Sequence, residues 1–415
     1  MNYGLIAERV GHSYSKVIHS MLADYEYELC AISKDELDGF MREKDFKAIN
    51  VTIPYKQAVI PYLDYVSDGA RQIGAVNTVV NQDGKLYGYN TDFFGLKELI
   101  LKMGLDLVGK KALVLGTGGT SRTARAVLGS LGAKDVIAVG RMEKPDCITY
   151  GEAYEKHTDA DVIVNTTPVG MFPDVEGCPI DLSRFQKLSG VIDAVYNPLR
   201  STLVTSARER GILAEGGLYM LVCQAVKACE IFLDRELPDG KADEVYAKIL
   251  RDKENIVLIG MPSCGKTTVG RIVAERTGRE LYDLDEEIVK SEKRTIPEIF
   301  SESGEKIFRD IESRVLDEKL SALSGAVIAT GGGAVLRGEN VSRLKKNGRL
   351  YFLDRPIELL IPTPDRPTAL TREAIEKRYA ERLPIYKGAA DERVISLGTA
   401  EDAARAVIDL HYKEV

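Results

Sequence analysis

Two glycine-rich turns in this chain have the residue types to cradle phosphates, and each directly follows an apolar run. The first is Gly116-Thr117-Gly118-Gly119-Thr120-Ser121, after Ala112-Leu113-Val114-Leu115. The second is Gly260-Met261-Pro262-Ser263-Cys264-Gly265-Lys266-Thr267, after Ile256-Val257-Leu258-Ile259. A strand, a glycine turn and a helix together aim backbone N–H groups and a helix N-terminus at an anion, and glycine lets the backbone come close. The second turn completes the P-loop pattern. Its N–H groups hold phosphates, Lys266 neutralises β- and γ-charge, and Thr267 takes Mg²⁺. ATP is therefore expected on Gly260, Gly265, Lys266, Thr267 and Thr268. The first turn leads into Thr123-Ala124-Arg125-Ala126, the small-residue context of a dinucleotide site on Gly116, Gly118, Gly119 and Thr120. A carboxylate at the end of the next strand would repel a 2′-phosphate. The chain has Val139-Gly140-Arg141 there, and arginine attracts one, so NADP(H) is favoured. Two nucleotide sites imply two catalysts on one chain.

The elements that must position these turns read as α/β. At 415 residues the chain exceeds one compact core, and two or three domains are expected. Strand candidates at Tyr3–Ile6, Ala48–Thr52, Val76–Asn81, Ala112–Leu115, Asp135–Val139, Asp161–Asn165 and Val191–Asp193 alternate with helix-period stretches. That alternation predicts mainly parallel sheets. The polar segment Asp234–Glu254 holds Pro238-Asp239-Gly240 and helical spacing over 243–252, and the alternation restarts at 255. The net charge of −7 argues against a nucleic-acid partner. No apolar run approaches the ~20 residues needed to span a bilayer. The start carries no basic region or signal-peptide core, so a cytoplasmic protein is expected. Six scattered cysteines form no CxxC pair and read as buried reduced thiols. Cys223 and Cys229 are expected to flank a helical stretch and to pack. Cys264 reads as a small residue tolerated in the loop.

Several constellations in residues 1–237 resemble shikimate dehydrogenase. They are His12-Ser13-Tyr14-Ser15, Asn50-Val51-Thr52-Ile53-Pro54-Tyr55-Lys56, Gly74-Ala75-Val76-Asn77-Thr78 and Asn90-Thr91-Asp92. Asn165-Thr166-Thr167-Pro168-Val169-Gly170-Met171, Asp193-Ala194-Val195-Tyr196-Asn197-Pro198-Leu199 and Gly216-Gly217-Leu218-Tyr219-Met220-Leu221-Val222-Cys223-Gln224 follow in family order. The resemblance implies that Lys56 and Asp92 flank the reacting oxygen, Lys56 either donating a proton or holding the alkoxide. It also implies that Ser13, Ser15 and Tyr196 bind the substrate carboxylate, that Thr52, Asn77 and Gln224 contact ring hydroxyls, and that Met220 contacts the cofactor. The chain departs from the pattern at Lys16, at Ala7-Glu8-Arg9, at Gly140 and in the short segment Met142–Asp146.

Residues 254–415 resemble shikimate kinase. The motifs are Asp283-Leu284-Asp285, Ile296-Pro297-Glu298-Ile299-Phe300, Gly304-Glu305-Lys306-Ile307-Phe308-Arg309 with Glu312, and Ile328-Ala329-Thr330-Gly331-Gly332-Gly333-Ala334-Val335. Pro364-Asp365-Arg366-Pro367 and Arg382-Leu383-Pro384-Ile385-Tyr386 complete the set. The resemblance implies that Asp283 helps Thr267 hold Mg²⁺ and that Asp285 orients the attacking hydroxyl. Arg309 and Arg382 clamp the carboxylate, Gly331, Gly332 and Gly333 let backbone approach the ring, and Arg366 closes over ATP from a lid.

The expected architecture is thus a two-lobed dehydrogenase followed by a P-loop kinase domain with a parallel sheet. The substrate lobe is 1–101 completed by 217–237, the Rossmann NADP lobe 102–216, the linker 238–253, and the kinase 254–415 with a lid near 361–373. The expected activities are reduction of 3-dehydroshikimate by NADPH and phosphorylation of shikimate by ATP and Mg²⁺, in a monomer or homodimer. A non-catalytic sensor is disfavoured because Lys56, Asp92, Lys266, Asp283, Asp285 and Arg366 are all present. A quinate-preferring dehydrogenase is disfavoured by retention of both Ser13 and Ser15.

Overall fold

The computed structural model describes residues 1–10, 14–360 and 371–413. The described residues form two compact units, 1–249 and 250–415, with the division inside the helix Lys241–Lys253.

The first unit holds two six-stranded sheets. One contains Tyr3–Ala7 (β1), Tyr27–Ala31 (β2), Ala48–Val51 (β3), Tyr65–Val66 (β4), Thr78–Gln82 (β5) and Lys85–Tyr89 (β6), in the order β2-β1-β3-β5-β6-β4. This sheet is mixed: β1 pairs parallel with β2 and β3, and β4 with β6, whereas β5 runs antiparallel to both β3 and β6. The cause is local. Asp83 and Gly84, both at positive φ (52° and 81°), close a two-residue turn between Gln82 and Lys85. Asp-Gly favours such a turn, and its twist matches that of the flanking strands.

The other sheet contains Lys111–Leu115 (β7), Asp135–Gly140 (β8), Cys147–Thr149 (β9), Val162–Asn165 (β10), Gly190–Asp193 (β11) and Leu213–Glu215 (β12), in the order β12-β11-β10-β7-β8-β9. Every pairing in it is parallel. Its central strands are apolar on both faces because helices cover both. Ala112, Val114, Val162 and Val164 pack into one core, and Leu113, Leu115 and Ile163 into the other. The helix Asp92–Lys102 packs against the helix Leu218–Leu233, with Leu96, Leu99, Met220 and Cys223 in one cluster. A Cβ on Gly95 would overlap the Met220 carbonyl, so glycine is what permits this close approach.

The second unit is one parallel sheet of Asn255–Ile259 (β13), Leu281–Asp283 (β14), Val327–Ala329 (β15), Gly348–Asp354 (β16) and Glu392–Ile395 (β17), in the order β14-β15-β13-β16-β17. Ile256, Leu258, Val327, Leu350 and Phe352 are at or below 1% exposed and anchor its core.

The cysteines depart from expectation in two ways. Cys223 and Cys229 lie inside the helix Leu218–Leu233 rather than beside it, because the apolar stretch continues through both. Of the six free thiols, Cys147, Cys223, Cys229 and Cys264 are buried, whereas Cys30 is half-buried and Cys178 exposed. Among the described residues no helix is long and apolar enough to cross a membrane.

Candidate active sites

In the first unit a cleft of roughly 600 Å³ brings together side chains from several distant segments. Ser15, Thr52, Lys56, Asn77 and Asp92 line it from the first lobe. Thr120 and Tyr196 come from the second lobe, and Met220 and Gln224 from the helix Leu218–Leu233. Ser13 lies outside the described residues.

At the centre Lys56 Nζ donates to Asp92 Oδ2 at 2.6 Å, with side chains 14% and 9% exposed. Asp92 is the first residue of its helix, where the N-terminal partial charge favours a carboxylate. Its other oxygen, Oδ1, accepts from Asn77 Nδ2 at 2.9 Å. Gln224 joins through Thr91, whose hydroxyl donates to Gln224 Oε1 at 3.4 Å.

The glycine turn rises beside this pair. A Cβ on Gly119 would stand 3.7 Å from Lys56 Cδ. Gly116 is at φ +112°, and a Cβ there would lie 2.7 Å from Thr166 Oγ1, so only glycine fits. A Cβ on Gly118 would meet no protein atom within 4 Å, so the space this glycine keeps faces outward. The helix Gly119–Ser130 starts with no side-chain cap, leaving its first N–H groups to an external acceptor. Arg141 is exposed at the end of β8 and does not line the cleft. The Gly116 N–H donates to the Val139 carbonyl two residues before it. Gly140 also has a steric reason: a Cβ there would come within 2.8 Å of Cys147 Sγ on β9. The short segment 141–146 is closed by a bridge between Lys144 and Cys147.

One residue beneath the cleft escaped sequence reasoning as a site element. Asp193 ends β11, is fully buried, and burial pushes its carboxyl up to about 6. It accepts from Ser201 Oγ at 2.5 Å, Asn165 Nδ2 at 2.9 Å and the Val195 N–H at 3.0 Å. These bonds fix the loop that carries Tyr196, whose own hydroxyl is shifted upward by burial.

In the second unit the P-loop leaves β13 at Gly260 (φ +151°) and enters the helix Lys266–Thr277. A Cβ on Gly260 would lie 2.8 Å from both Cys264 Sγ and the Leu353 carbonyl. Cys264 is thus a packed residue beneath the loop. Lys266 Nζ donates to the carbonyls of Gly260 and Met261 at 2.9 and 3.0 Å. The Thr267 hydroxyl donates to Asp283 Oδ2 at 2.6 Å, so these two oxygen donors adjoin. Asp283 Oδ1 caps the following helix through the Asp285 N–H.

A pocket in this unit is lined by Asp285, Arg309, Glu312, Arg382 and the triplet Gly331–Gly333. The glycines are crowded from behind. A Cβ on Gly331 would lie 2.8 Å from both Asp285 Oδ1 and Glu312 Oε1, one on Gly332 would lie 2.7 Å from Pro262, and one on Gly333 would overlap the Arg309 guanidinium. Arg382 Nη1 and the Tyr386 hydroxyl both donate to the Gly332 carbonyl. Arg309 Nη1 pairs with Glu312 Oε2 at 2.7 Å. Glu312, named among the kinase motifs but given no role there, is a site element, and its i,i+3 spacing from Arg309 places both on one helix face. Burial raises its carboxyl pKa against the lowering influence of Arg309. Thr268 lies in the first turn of the P-loop helix. Arg366 falls outside the described residues, as does most of 361–373; Arg372 and Glu373 already begin the helix Arg372–Ala389.

Fold and site together define two classes of protein in one chain: a two-lobed oxidoreductase with a dinucleotide turn, and a P-loop phosphotransferase. Residues 5–79 match the family model for the shikimate dehydrogenase substrate binding domain, and residues 262–411 match the shikimate kinase model. The chain is 35% identical over 260 residues to the NADP(+) shikimate dehydrogenase of Clostridium beijerinckii, covering 59% of this chain and 96% of that protein. A solved shikimate dehydrogenase from Peptoclostridium difficile aligns with a TM-score of 0.56 at 35% identity, over 60% of this chain and 97% of that one. A chorismate mutase/shikimate 5-dehydrogenase fusion from Clostridium acetobutylicum aligns with a TM-score of 0.55 at 35% identity, over 59% of this chain and 95% of that one. The Thermus thermophilus enzyme, solved with NADP(H) and shikimate, aligns with a TM-score of 0.54 at 28% identity, over 60% of this chain and 99% of that one. The chain belongs to the shikimate dehydrogenase family and carries a shikimate kinase domain after it.

Proposed function

We propose that this chain carries out two consecutive reactions: reduction of 3-dehydroshikimate to shikimate by NADPH, and phosphorylation of the shikimate 3-hydroxyl by ATP with Mg²⁺. The observation that carries the reading is the Lys56–Asp92 pair, 2.6 Å apart, in a cleft that Thr120 of the dinucleotide turn also lines. When bound, NADPH supplies the hydride. Lys56 stands where a proton or a positive charge meets the oxygen that becomes an alkoxide, and Asp92 holds the ammonium in place. Ser15 and Tyr196 take the carboxylate, with Ser13 assigned there by resemblance. Thr52, Asn77 and Gln224 receive the ring hydroxyls, and Met220 packs on the cofactor. Gly116 by its required torsion and Gly118 by its outward space suit a pyrophosphate, with Gly119 joining them by its place at the helix start, and Arg141 suits a 2′-phosphate.

In the kinase domain the P-loop and the uncapped start of its helix suit a triphosphate, and Thr267 with Asp283 offers Mg²⁺ two oxygens. Lys266 meets transferring charge, Asp285 orients the attacking hydroxyl, and Arg309 with Arg382 clamps the carboxylate. Arg366 is assigned to the lid by resemblance alone. The substrates are small molecules, and the chain works in the cytoplasm as a monomer or homodimer. Separate assays test the two halves. NADPH oxidation should depend on 3-dehydroshikimate, and ADP release should depend on shikimate. Oxidation or release that ignores these substrates would overturn the corresponding half.

A further inference from the structure

A chain of buried hydrogen bonds runs from Tyr27 to the Asp92 carboxylate, and its donors all point one way. Two backbone groups fix the direction. The Asn77 carbonyl accepts from the Asn50 side chain, so that contact is Asn50 Nδ2 (3.3 Å) and Asn50 Oδ1 faces Tyr27. The Tyr27 hydroxyl must then donate to Asn50 Oδ1, at 2.7 Å. The Thr91 backbone N–H donates to the Asn77 side chain at 2.7 Å, so the atom it meets is Asn77 Oδ1 and Nδ2 faces Asp92. Between the two amides, Asn50 Nδ2 donates to Thr78 Oγ1 at 3.2 Å, and the Thr78 hydroxyl has two neighbours, Asn77 Oδ1 at 3.1 Å, to which it donates in this chain, and the Thr91 hydroxyl at 3.2 Å. Tyr27, Asn50, Asn77 and Thr78 are all buried. Successive bonds of one sense polarise one another, more strongly in a low-dielectric interior.

We infer that Tyr27 is a positioning residue for the reduction. Through Asn50, Thr78 and Asn77 it fixes the amide that holds Asp92, and thereby the direction in which Lys56 faces the substrate oxygen. The inference rests on the reading of Lys56 and Asp92 as the reducing pair. Tyr27 itself touches no cleft space and opens β2, with β1 and β3 lying between it and β5. Its neighbour Tyr25 supplies an internal control. The Tyr25 hydroxyl bonds His19 Nδ1 at 2.6 Å and makes no direct link of the Asp92 chain; His19 stacks on Tyr27 with ring centroids 4.0 Å apart and interacts with the Asn50 side chain, so Tyr25 lies one residue outside the chain. Tyr27→Phe and Tyr25→Phe therefore each remove one hydroxyl from the same aromatic cluster, buried at Tyr27 and half-buried at Tyr25, but only the first removes a link of the chain.

Two readouts decide the matter. The first is the side-chain amide proton of Asn77 that donates to Asp92, followed by ¹H–¹⁵N NMR and assigned with Asn77→Ser. It should move upfield in Tyr27→Phe and stay in place in Tyr25→Phe. The second is steady-state reduction. Tyr27→Phe should lower kcat about three- to tenfold with KM for both substrates within twofold, whereas Tyr25→Phe should leave both near wild type. An Asn77 resonance unchanged in Tyr27→Phe, or moved equally by Tyr25→Phe, would overturn the inference. The NMR arm needs no turnover, so a wild-type chain that failed to reduce 3-dehydroshikimate would overturn the proposed activity while this comparison still stood or fell by itself.

Discussion

The two sites handle charge in opposite ways. In the reductive cleft the cation and the anion are already paired, Lys56 on Asp92, and neutral amides hold the pair in place. In the phosphotransfer site Lys266 rests on two neutral carbonyls and Arg382 on a third, with Glu312 balancing Arg309. The difference matches the chemistry. Hydride addition creates one alkoxide charge, which a single poised ammonium can meet. Phosphoryl transfer brings a polyanion and spreads charge over equatorial oxygens, and among the described residues Lys266 and Arg382 hold hydrogen bonds to neutral carbonyls that such a polyanion can replace.

The sharpest way to break this contrast is to remove each ammonium. Lys266→Ala should lower ATP-dependent phosphorylation about 10³-fold and leave reduction untouched. Lys56→Ala should lower reduction about 10²- to 10³-fold and leave phosphorylation untouched. Parallel assays on each variant check both, and equal losses in both activities would merge two sites described here as separate. Next in size is Gly333→Ala. The overlap falls on the far end of the Arg309 side chain, so the fold should persist while the guanidinium is displaced. Losing one charge-assisted contact predicts a rise in KM for shikimate of about tenfold or more, with KM for ATP unchanged. Arg141→Ala should raise KM for NADPH about tenfold and leave KM for NADH as it was.

The smallest effect concerns stability. The Asp193 carboxyl is raised to about 6 in the folded chain from an ordinary 3.8, so the folded state holds the extra proton between those values. The contribution of this group to stability must therefore rise as pH falls through 6 toward 4, reaching about 3 kcal/mol at full protonation. Buried His19, lowered to about 3 by desolvation, works in the opposite sense as pH falls below 6.5. The test is thus the difference between wild type and Asp193→Asn in unfolding midpoint from pH 7.5 to 5. The wild type should gain on the variant as pH falls, and a constant gap would refute the assignment.

Legibility in the sequence followed contiguity. The P-loop lies within eight neighbouring residues, so Gly260, Lys266 and Thr267 could be read from local pattern alone. The reductive cleft draws on segments near 15, 52–56, 77, 92, 120, 196 and 220–224, and only their ordered co-occurrence pointed to it. The parallel sheets were legible as apolar runs. The antiparallel part of the first sheet was missed although Asp83-Gly84 marks it, because β6 (Lys-Leu-Tyr-Gly-Tyr) alternates polar and apolar residues instead of forming a run. Asp193 and Glu312 stood within the motifs but received no role, for a different reason. Each is a buried carboxylate that acts through other site residues, and burial is a property of the fold rather than of neighbouring letters.

The central claim is that both chemistries reside on one chain and act in sequence. Purified protein given 3-dehydroshikimate, NADPH, ATP and Mg²⁺ should yield shikimate 3-phosphate by mass spectrometry, with shikimate appearing first. Shikimate that accumulates without phosphate, or no reduction at all, would contradict the account at the kinase or the dehydrogenase half respectively.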